Sequence, residues 1–423
     1  MRITKPDEAG AGETAAEPSH PSLWRNRDYM LLAGGQIVSM AGSQLSMVAV
    51  PLMTLALTGS AAKAGLVSTV EALPYFLFGL VAGVLVDRWN RKTIMIVCDG
   101  ARALAMLSIP VAYWTGHLSF WMFVAAAFVI GTSFVFFNIA EISSLSQVVG
   151  KSQLTQAASV NEVAESSAAL AGPGIGGALV ALGRTPLVGG AIALLVDGIT
   201  FLVSMVSLLL LRRPLNDERD KGAQESMWTQ FKEGQRYVWS HPTIRTMMLL
   251  AAALNSLFSP SYLAIIVLAS KDMDASATVV GLVFSVGAAG GLIGGLLSPR
   301  VAKRVRSGPL MTGALIAWAL AMPLIPLSTS PWMLVGAWGL VTFVSPMFDV
   351  PQVSQRLKLV PEHLQGRVNS SFRFVAWGIR PAAIGIGGVL VAAVGAREVL
   401  WGIAAGMALV AASGVLLGLY KAR

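Results

Sequence analysis

Asp99 and Arg102 stand three residues apart inside an otherwise apolar run, so on a helix they share a face and neutralise one another. Arg373, Trp377 and Arg380 recur at i, i+4 and i+7 and also share a face. There the indole offers the two guanidiniums a cation–π contact of about 0.5–2 kcal/mol but no negative charge, so an acid is expected nearby. Glu71, Glu141, Asp197 and Asp349 are further acids within apolar runs, and Glu162 and Glu165 lie near the start of another. A charge near the centre of a bilayer costs about 2.5–3.5 kcal/mol on insertion scales, so each needs a partner, a water pocket or a protonation event. A carboxylate facing a cavity whose hydration changes is able to take up and release a proton. That makes Glu141 and Asp349 the candidates for proton coupling, with Glu165 next; Asp197 and the Asp99–Arg102 pair read as structural.

Such residues need elements that hold charge inside hydrocarbon. The chain has 423 residues, 55% hydrophobic and only 13% charged, against the quarter or so charged in a soluble domain. Apolar runs long enough to cross about 30 Å of hydrocarbon recur some twelve times. They fall at 31–57, 64–86, 93–115, 119–146, 154–182, 187–211, 244–270, 278–299, 309–328, 332–355, 368–394 and 399–420. The acidic residues among the first thirty and the lack of a short apolar core there speak against a signal peptide. The expected organisation is a cytoplasmic tail over 1–30, a six-helix bundle over 31–211, a cytoplasmic linker over 212–243 and a second bundle over 244–423. In the linker Trp228, Phe231 and Val238 form an apolar stripe suited to a helix on the membrane surface, with a solvated connector as the alternative.

The net charge of +9 is carried mainly by one set of loops, with Arg88, Arg91, Lys92, Arg300, Lys303, Arg304 and Arg306 among its residues. By the positive-inside rule that side, with both termini, is cytoplasmic. No basic and aromatic motif accompanies the charge, so nucleic acid is not an expected partner. The lone Cys98 and the scattered histidines offer no metal-ligand cluster, no cofactor signature is present, and no nucleophile and base arrangement marks an enzyme.

Polar residues run in stripes at helical spacing: Gln36, Ser39, Ser43 and Ser46 on the first span, Asn138 and Glu141 on the fourth, Asn255, Ser259 and Tyr262 on the seventh, Ser345, Asp349 and Gln352 on the tenth. With Phe134, Phe137, Phe258, Met347 and Phe348 interleaved, they would make a mixed wall for an amphipathic organic ligand; hydrogen bonding between helices is the other reading. On the fifth span Pro173 removes a backbone donor, while Gly172, Gly176 and Gly177 permit close backbone approach, for packing or for motion. An internal repeat relates the halves: GVLVDRWNRK from Gly83 answers to GLLSPRVAKR from Gly295, with Pro299 in place of Asp87. The Gly176/Gly177 pair answers to Gly387/Gly388, and Asn138 to Asp349. Such repeats are the usual build of a secondary transporter.

GVLVDRWNRK resembles the loop motif after the second helix of the major facilitator superfamily, and AGPGIGG from Ala171 resembles its fifth-helix antiporter motif. PEHLQGRV from Pro361 and the paired DGARAL and DGITFL stretches are similar to the branch of macrolide and enterobactin exporters. The resemblance implies an all-α membrane protein of twelve transmembrane helices in two pseudo-symmetric bundles, with the four polar-striped helices lining a central cavity. It implies that Asp87, set among Arg88 and Arg91, latches onto the start of helix 11 near Arg367 to Asn369 when the protein faces outward; local capping by Asp87 is the alternative. It also places helix 11 opposite helix 2, so that Glu71 and Arg380 could pair as an outer gate that Arg373 adjoins. A substrate-binding or a permanently structural Arg380 remains open. The expected activity is export of a small drug-like or siderophore-like compound by proton antiport, a multidrug-resistance role, from a monomer in a bacterial inner membrane. A lipid flippase on the same fold and a receptor that does not transport are the alternatives.

The charge asymmetry predicts that, with Cys98 replaced, cysteines introduced at Gly116 and Ala396 react with an impermeant thiol reagent on intact cells, whereas one at Asn90 does not. External labelling at Asn90 in sealed cells would sink this topology.

Overall fold

Asn26 opens the first long helix by accepting a hydrogen bond from the Tyr29 amide (3.2 Å), and Gly59, in the left-handed region at φ 66°, closes it. Ser60 and Thr185 cap the helices that follow them in the same way. This computed structural model describes residues 23–79, 81–150, 153–212, 215 and 227–421, excepting the side chains of Val84, Asp87, Met227, Trp228, Gln230 and Lys421. The Asp87 latch, the Trp228 end of the linker stripe and the tail up to residue 22 thus lie outside the described residues.

The first half comprises α1 (Arg27–Thr58), α2 (Ala61–Phe78), α3 (Ala82–Arg88), α4 (Arg91–Trp114), α5 (Phe120–Val148), α6 (Leu154–Leu182) and α7 (Pro186–Leu209). After α8 (Met227–Ser240) come α9 (Pro242–Phe258), α10 (Ser261–Val267), α11 (Ala277–Ala302), α12 (Ser307–Ala321), α13 (Pro331–Leu359), α14 (Gln365–Gly378), α15 (Arg380–Val394) and α16 (Ala396–Leu416). Among the described residues ten helical segments are long and apolar enough to cross a membrane. Two of the expected spans do not reach that measure: α6 carries Glu162 and Glu165 in its first half, and α2 carries Lys63 and Glu71 within its 18 residues. Two crossing segments are interrupted. Pro260 divides α9 from α10, and Pro381, which has no amide to donate to Trp377, divides α14 from α15.

α1 packs on α6 and α7, α4 on α5 and α7, and α2 on α5; in the second half α13 packs on α11 and α12, and α16 on α9, α12 and α15. The halves meet along two seams, α2 with α15 and α6 with α11. Hydrogen bonds from Asn26 to the Val148 carbonyl (2.9 Å), from Lys92 to that of Leu211 (2.7 Å) and from Tyr237 to that of Leu359 (3.0 Å) gather the start of α1, the ends of α5, α7 and α13, and α8. Leu419, just after α16, is buried on the same side against α12 and α9. We call this the terminal face. At the far face Lys271 donates to the Gly59 carbonyl (2.7 Å), linking the halves.

The seams close at the far face because glycine lets backbones touch. A Cβ on Gly388 would lie 2.8 Å from the Gly65 Cα, and one on Gly177 would collide with the Ala277 carbonyl. The repeat pairing of Gly176/Gly177 with Gly387/Gly388 therefore marks two equivalent seams, one on each side of the bundle.

Gly388→Leu should cost about 1–3 kcal/mol by overpacking and lower the thermal midpoint of the purified protein. Gly402→Leu, at a position with nothing within 4 Å of a new Cβ, should stay within about 0.5 kcal/mol of the parent. Equal midpoints for the two variants would refute the seam.

Candidate functional site

A cavity of about 650 Å³ lies between the halves towards the terminal face, with Tyr75, Phe134, Asn138, Phe231, Asn369 and Arg373 on its walls. α2 and α5 supply one side, α8 and α14 the other. The sequence reading anticipated Asn138 and Phe134 here, whereas it gave Arg367 to Asn369 only as the partner of the Asp87 latch and did not single out Ser370; on α14 Arg367, Asn369 and Ser370 form a cavity wall. The linker stripe is used differently from expectation. Val238 is fully buried, Phe231 meets Phe374 edge to face at 5.3 Å, and Ser371 donates to the Phe231 carbonyl (3.0 Å). Glu233 forms an ion pair with Arg367. The apolar face of α8 is thus covered by the start of helix 11, because Gly234 leaves room for the Arg367 carbonyl to approach.

Three buried acids of the first half, Asp99, Asp197 and Glu141, have different partners. Asp99 is fully buried and Arg102 is 6% exposed; they pair at 3.5 Å, and the guanidinium lies 4.8 Å from the Phe137 ring centroid and 5.4 Å from that of Phe201. Asp197 accepts from Ser46 on α1 and from Thr200 (3.4 Å). Asp99 and Arg102 thus pair within α4, as their spacing suggested, and reach α5 and α7 through the two rings, while Asp197 ties α7 to α1. Glu141, 7% exposed, joins three helices: Gln36 on α1 donates to Oε2 (3.0 Å) and Asn161 on α6 to Oε1 (3.3 Å). Asn161 was not singled out by sequence, since nothing in a linear reading ties it to Glu141. Glu162 and Glu165 are exposed on α6.

Other anticipated lining residues turn their polar atoms to their own helices. Ser39 donates to the Gln36 carbonyl, Ser43 to that of Ser39, Asn255 to that of Ala251 and Ser259 to that of Asn255. Ser345 donates to Asp349 (3.0 Å), which is otherwise exposed. Tyr262 joins Phe258, Phe284 and Trp338 in a ring cluster with centroids 5.0–6.2 Å apart. Gly172 and Gly176 admit Gln44 and Leu45 of α1, and Gly174, next to Pro173, meets the Ser285 side chain of α11 and donates its amide to the Ser285 hydroxyl (2.9 Å). Arg88 is exposed, while Arg91 is buried and donates to the Ser143 carbonyl (3.5 Å).

The structure does not bring Glu71 and Arg380 together. α2 turns Gly65, Thr69 and Phe76 towards α15 and α14, and its Glu71 carbonyl lies against Gly131 of α5. Arg380 instead donates from Nε to the Ser259 hydroxyl (3.1 Å). Its guanidinium and that of Arg373 flank Trp377, 5.6 and 5.0 Å from the ring centroid.

The family model of the Major Facilitator Superfamily matches residues 32–385. The chain is 25% identical over 399 residues to the multidrug efflux pump Tap of Mycolicibacterium fortuitum, covering 92% of this chain and 95% of that one. It is 23% identical to macrolide efflux protein A of Streptococcus pyogenes, covering 82% and 85%. Among solved structures it is similar to a bacterial homologue of the iron transporter ferroportin in the inward-facing state, with a TM-score of 0.71 at 18% identity over 94% of this chain and 99% of that one.

Removing one member of a buried ion pair strands the other charge, at a cost of about 3–5 kcal/mol. Asp99→Ala should therefore unfold at a markedly lower temperature, and adding Arg102→Met should restore most of the loss, as read by thermal unfolding in detergent. A single variant as stable as the parent would show that the pair is no lock.

Proposed function

This chain belongs to the Major Facilitator Superfamily, and from that premise we propose that it exports a small amphipathic organic compound across a bacterial cytoplasmic membrane in exchange for protons. The terminal face is then cytoplasmic, in keeping with the basic loops on that side, and twelve passes follow if α2 with α3 and α6 also span. Similarity to efflux proteins along nearly the whole chain supports the direction of transport. In the state described, the compound enters the 650 Å³ cavity from the cytoplasm while the far-face seams are shut. Release outward requires the α2–α15 and α6–α11 contacts to part and the terminal face to close.

The observation that carries the coupling is the position of Glu141 between α1, α5 and α6. Two amide groups donate to it, an arrangement that suits the carboxylate anion. Gln36 Oε1 and Asn161 Oδ1 have no partner among the described residues. Rotation of either amide would present an acceptor to a protonated Glu141, so the site is satisfiable in both protonation states. Because Asn161 belongs to α6, which also forms a seam with α11, a change of proton occupancy there bears directly on the contact between the halves. Asp349, exposed and held by Ser345 on the other half, is the second coupling candidate.

The test is a compound-accumulation screen in cells with and without the protein, repeated with a protonophore, followed by flux in proteoliposomes for a compound so found. Glu141→Gln or Asp349→Asn should abolish uphill export by at least about tenfold while downhill exchange persists. If both variants pump normally, neither residue couples transport to protons; export that ignores the protonophore would refute antiport.

A further inference from the structure

The second half carries two cations, Arg373 and Arg380, for which the described residues supply no counter-charge. Arg373 is exposed and lines the cavity, and Arg380 is half-buried beyond it; both border the Trp377 ring, itself 39% exposed. Neither guanidinium makes an ion pair among the described residues. Ser259, a neutral group, is the hydrogen-bond partner of Arg380. The neighbouring charge on α13 is a further cation, Arg356, which is buried, donates to Asn369 (2.9 Å) and lies 4.1 Å from the Phe372 ring centroid.

The interior acids are engaged or placed elsewhere. Asp99 is held by Arg102, Asp197 by Ser46 and Thr200, Glu141 by Gln36 and Asn161, and Asp349 by Ser345. Only the backbone carbonyl of Glu71 lies against Gly131 of α5 and its side chain is exposed, as are Glu162 and Glu165 on α6; none of the three forms an ion pair with Arg373 or Arg380 among the described residues. Stacking on an indole offsets part of the desolvation of a guanidinium but leaves its charge uncompensated. Two such groups at membrane depth, one of them on a cavity wall, create a local positive field that favours an anion.

We propose that Arg373, Trp377 and Arg380 form the receptor for an anionic group, a carboxylate or sulfonate, on the amphipathic compound that this protein carries. The planar fork of each guanidinium fits two oxygens of such a group, which an ammonium would not do. The apolar part of the same compound lies against Phe134, Phe374 and Tyr75, whose ring is 6.1 Å from Trp377. The two arginines stand on opposite sides of the break between α14 and α15. An anion held by both would bridge that joint, so binding bears on the angle between the two pieces of helix 11. This inference rests on the exporter reading for its physiological meaning, but the binding itself is separately measurable.

Three naphthalene probes of similar shape decide it: the 2-sulfonate, the neutral 2-carboxamide and the 2-ylmethyl trimethylammonium. Their equilibrium binding is measured by calorimetry on the full chain in nanodiscs of zwitterionic lipid, which gives the membrane no preference by charge. The sulfonate should bind at least about tenfold more tightly than the ammonium. Arg373→Gln and Arg380→Gln should each weaken sulfonate binding about tenfold while changing carboxamide binding less than about threefold. Arg380→Lys, which keeps the charge, should retain the preference for the anion. The proposal is overturned if the ammonium binds as tightly as the sulfonate, or if the Gln variants, eluting monodisperse, bind the sulfonate like the parent. Flux of the same probes in proteoliposomes separates this from the transport reading. Sulfonate preference without any proton-driven flux upholds the receptor and counts against export, whereas proton-driven flux of the ammonium without sulfonate binding upholds export and removes the receptor.

Discussion

Hydrocarbon gives a charged side chain no solvation, so a bundle of this kind must complete every buried charge from within or leave it facing a cavity. The first half takes the former course. Asp99 and Arg102 close on each other between two aromatic rings, Asp197 reaches Ser46 across to α1, and Glu141 is tied by amides from α1 and α6. These contacts knit α1, α4, α5, α6 and α7 into one body. The second half is held mainly by apolar and aromatic packing around Trp338, Phe258, Tyr262 and Phe284, and its Arg373 stands on the cavity wall without an ion pair among the described residues. The two halves share a plan but solve the charge problem in different ways.

That difference bears on the motion that the proposed export cycle requires. Rigid halves move as units only if the contacts between them are few and of similar strength in more than one arrangement. Along α2–α15 and α6–α11 the contact is backbone against backbone at glycine, joined by a few hydrogen bonds such as Gly174 to Ser285 and Lys271 to Gly59. Such a surface is closely complementary yet holds little polar cross-bonding that would have to be broken in hydrocarbon. A seam with several buried ion pairs would resist parting far more.

The sequence made legible whatever depends on local spacing or on composition. The apolar runs became helices, three of them divided in two, Asp99 met Arg102 because three residues is a helical neighbour distance, and the repeated glycine pairs fall in the two seams. What escaped depended on helix rotation and on partners far along the chain. Glu71 and Arg380 lie on helices that do face each other, but α2 presents Gly65, Thr69 and Phe76 to that neighbour. Glu71, two residues beyond Thr69, is some 200° further round at 100° per residue and turns elsewhere. Asn161 could not be assigned to Glu141, nor Glu233 to Arg367, without knowing which helices adjoin. The apolar stripe of α8 was visible, but a stripe alone does not distinguish a lipid surface from a protein one.

The fastening of α8 adds a mechanical consequence. Glu233, Phe231 and Gly234 hold it to α14, the terminal-face piece of helix 11, and Tyr237 ties it to the end of α13. The chain that joins the halves is therefore attached firmly to one of them. Helix 11 is broken at Gly378 to Pro381, so its α14 piece, clamped to α8, need not move with its α15 piece, which is packed against α2 at the far face. A motion that parted α2 from α15, as the proposed export cycle requires, would have a joint there in which to concentrate its bend, with Arg373 and Arg380 one on each side of it.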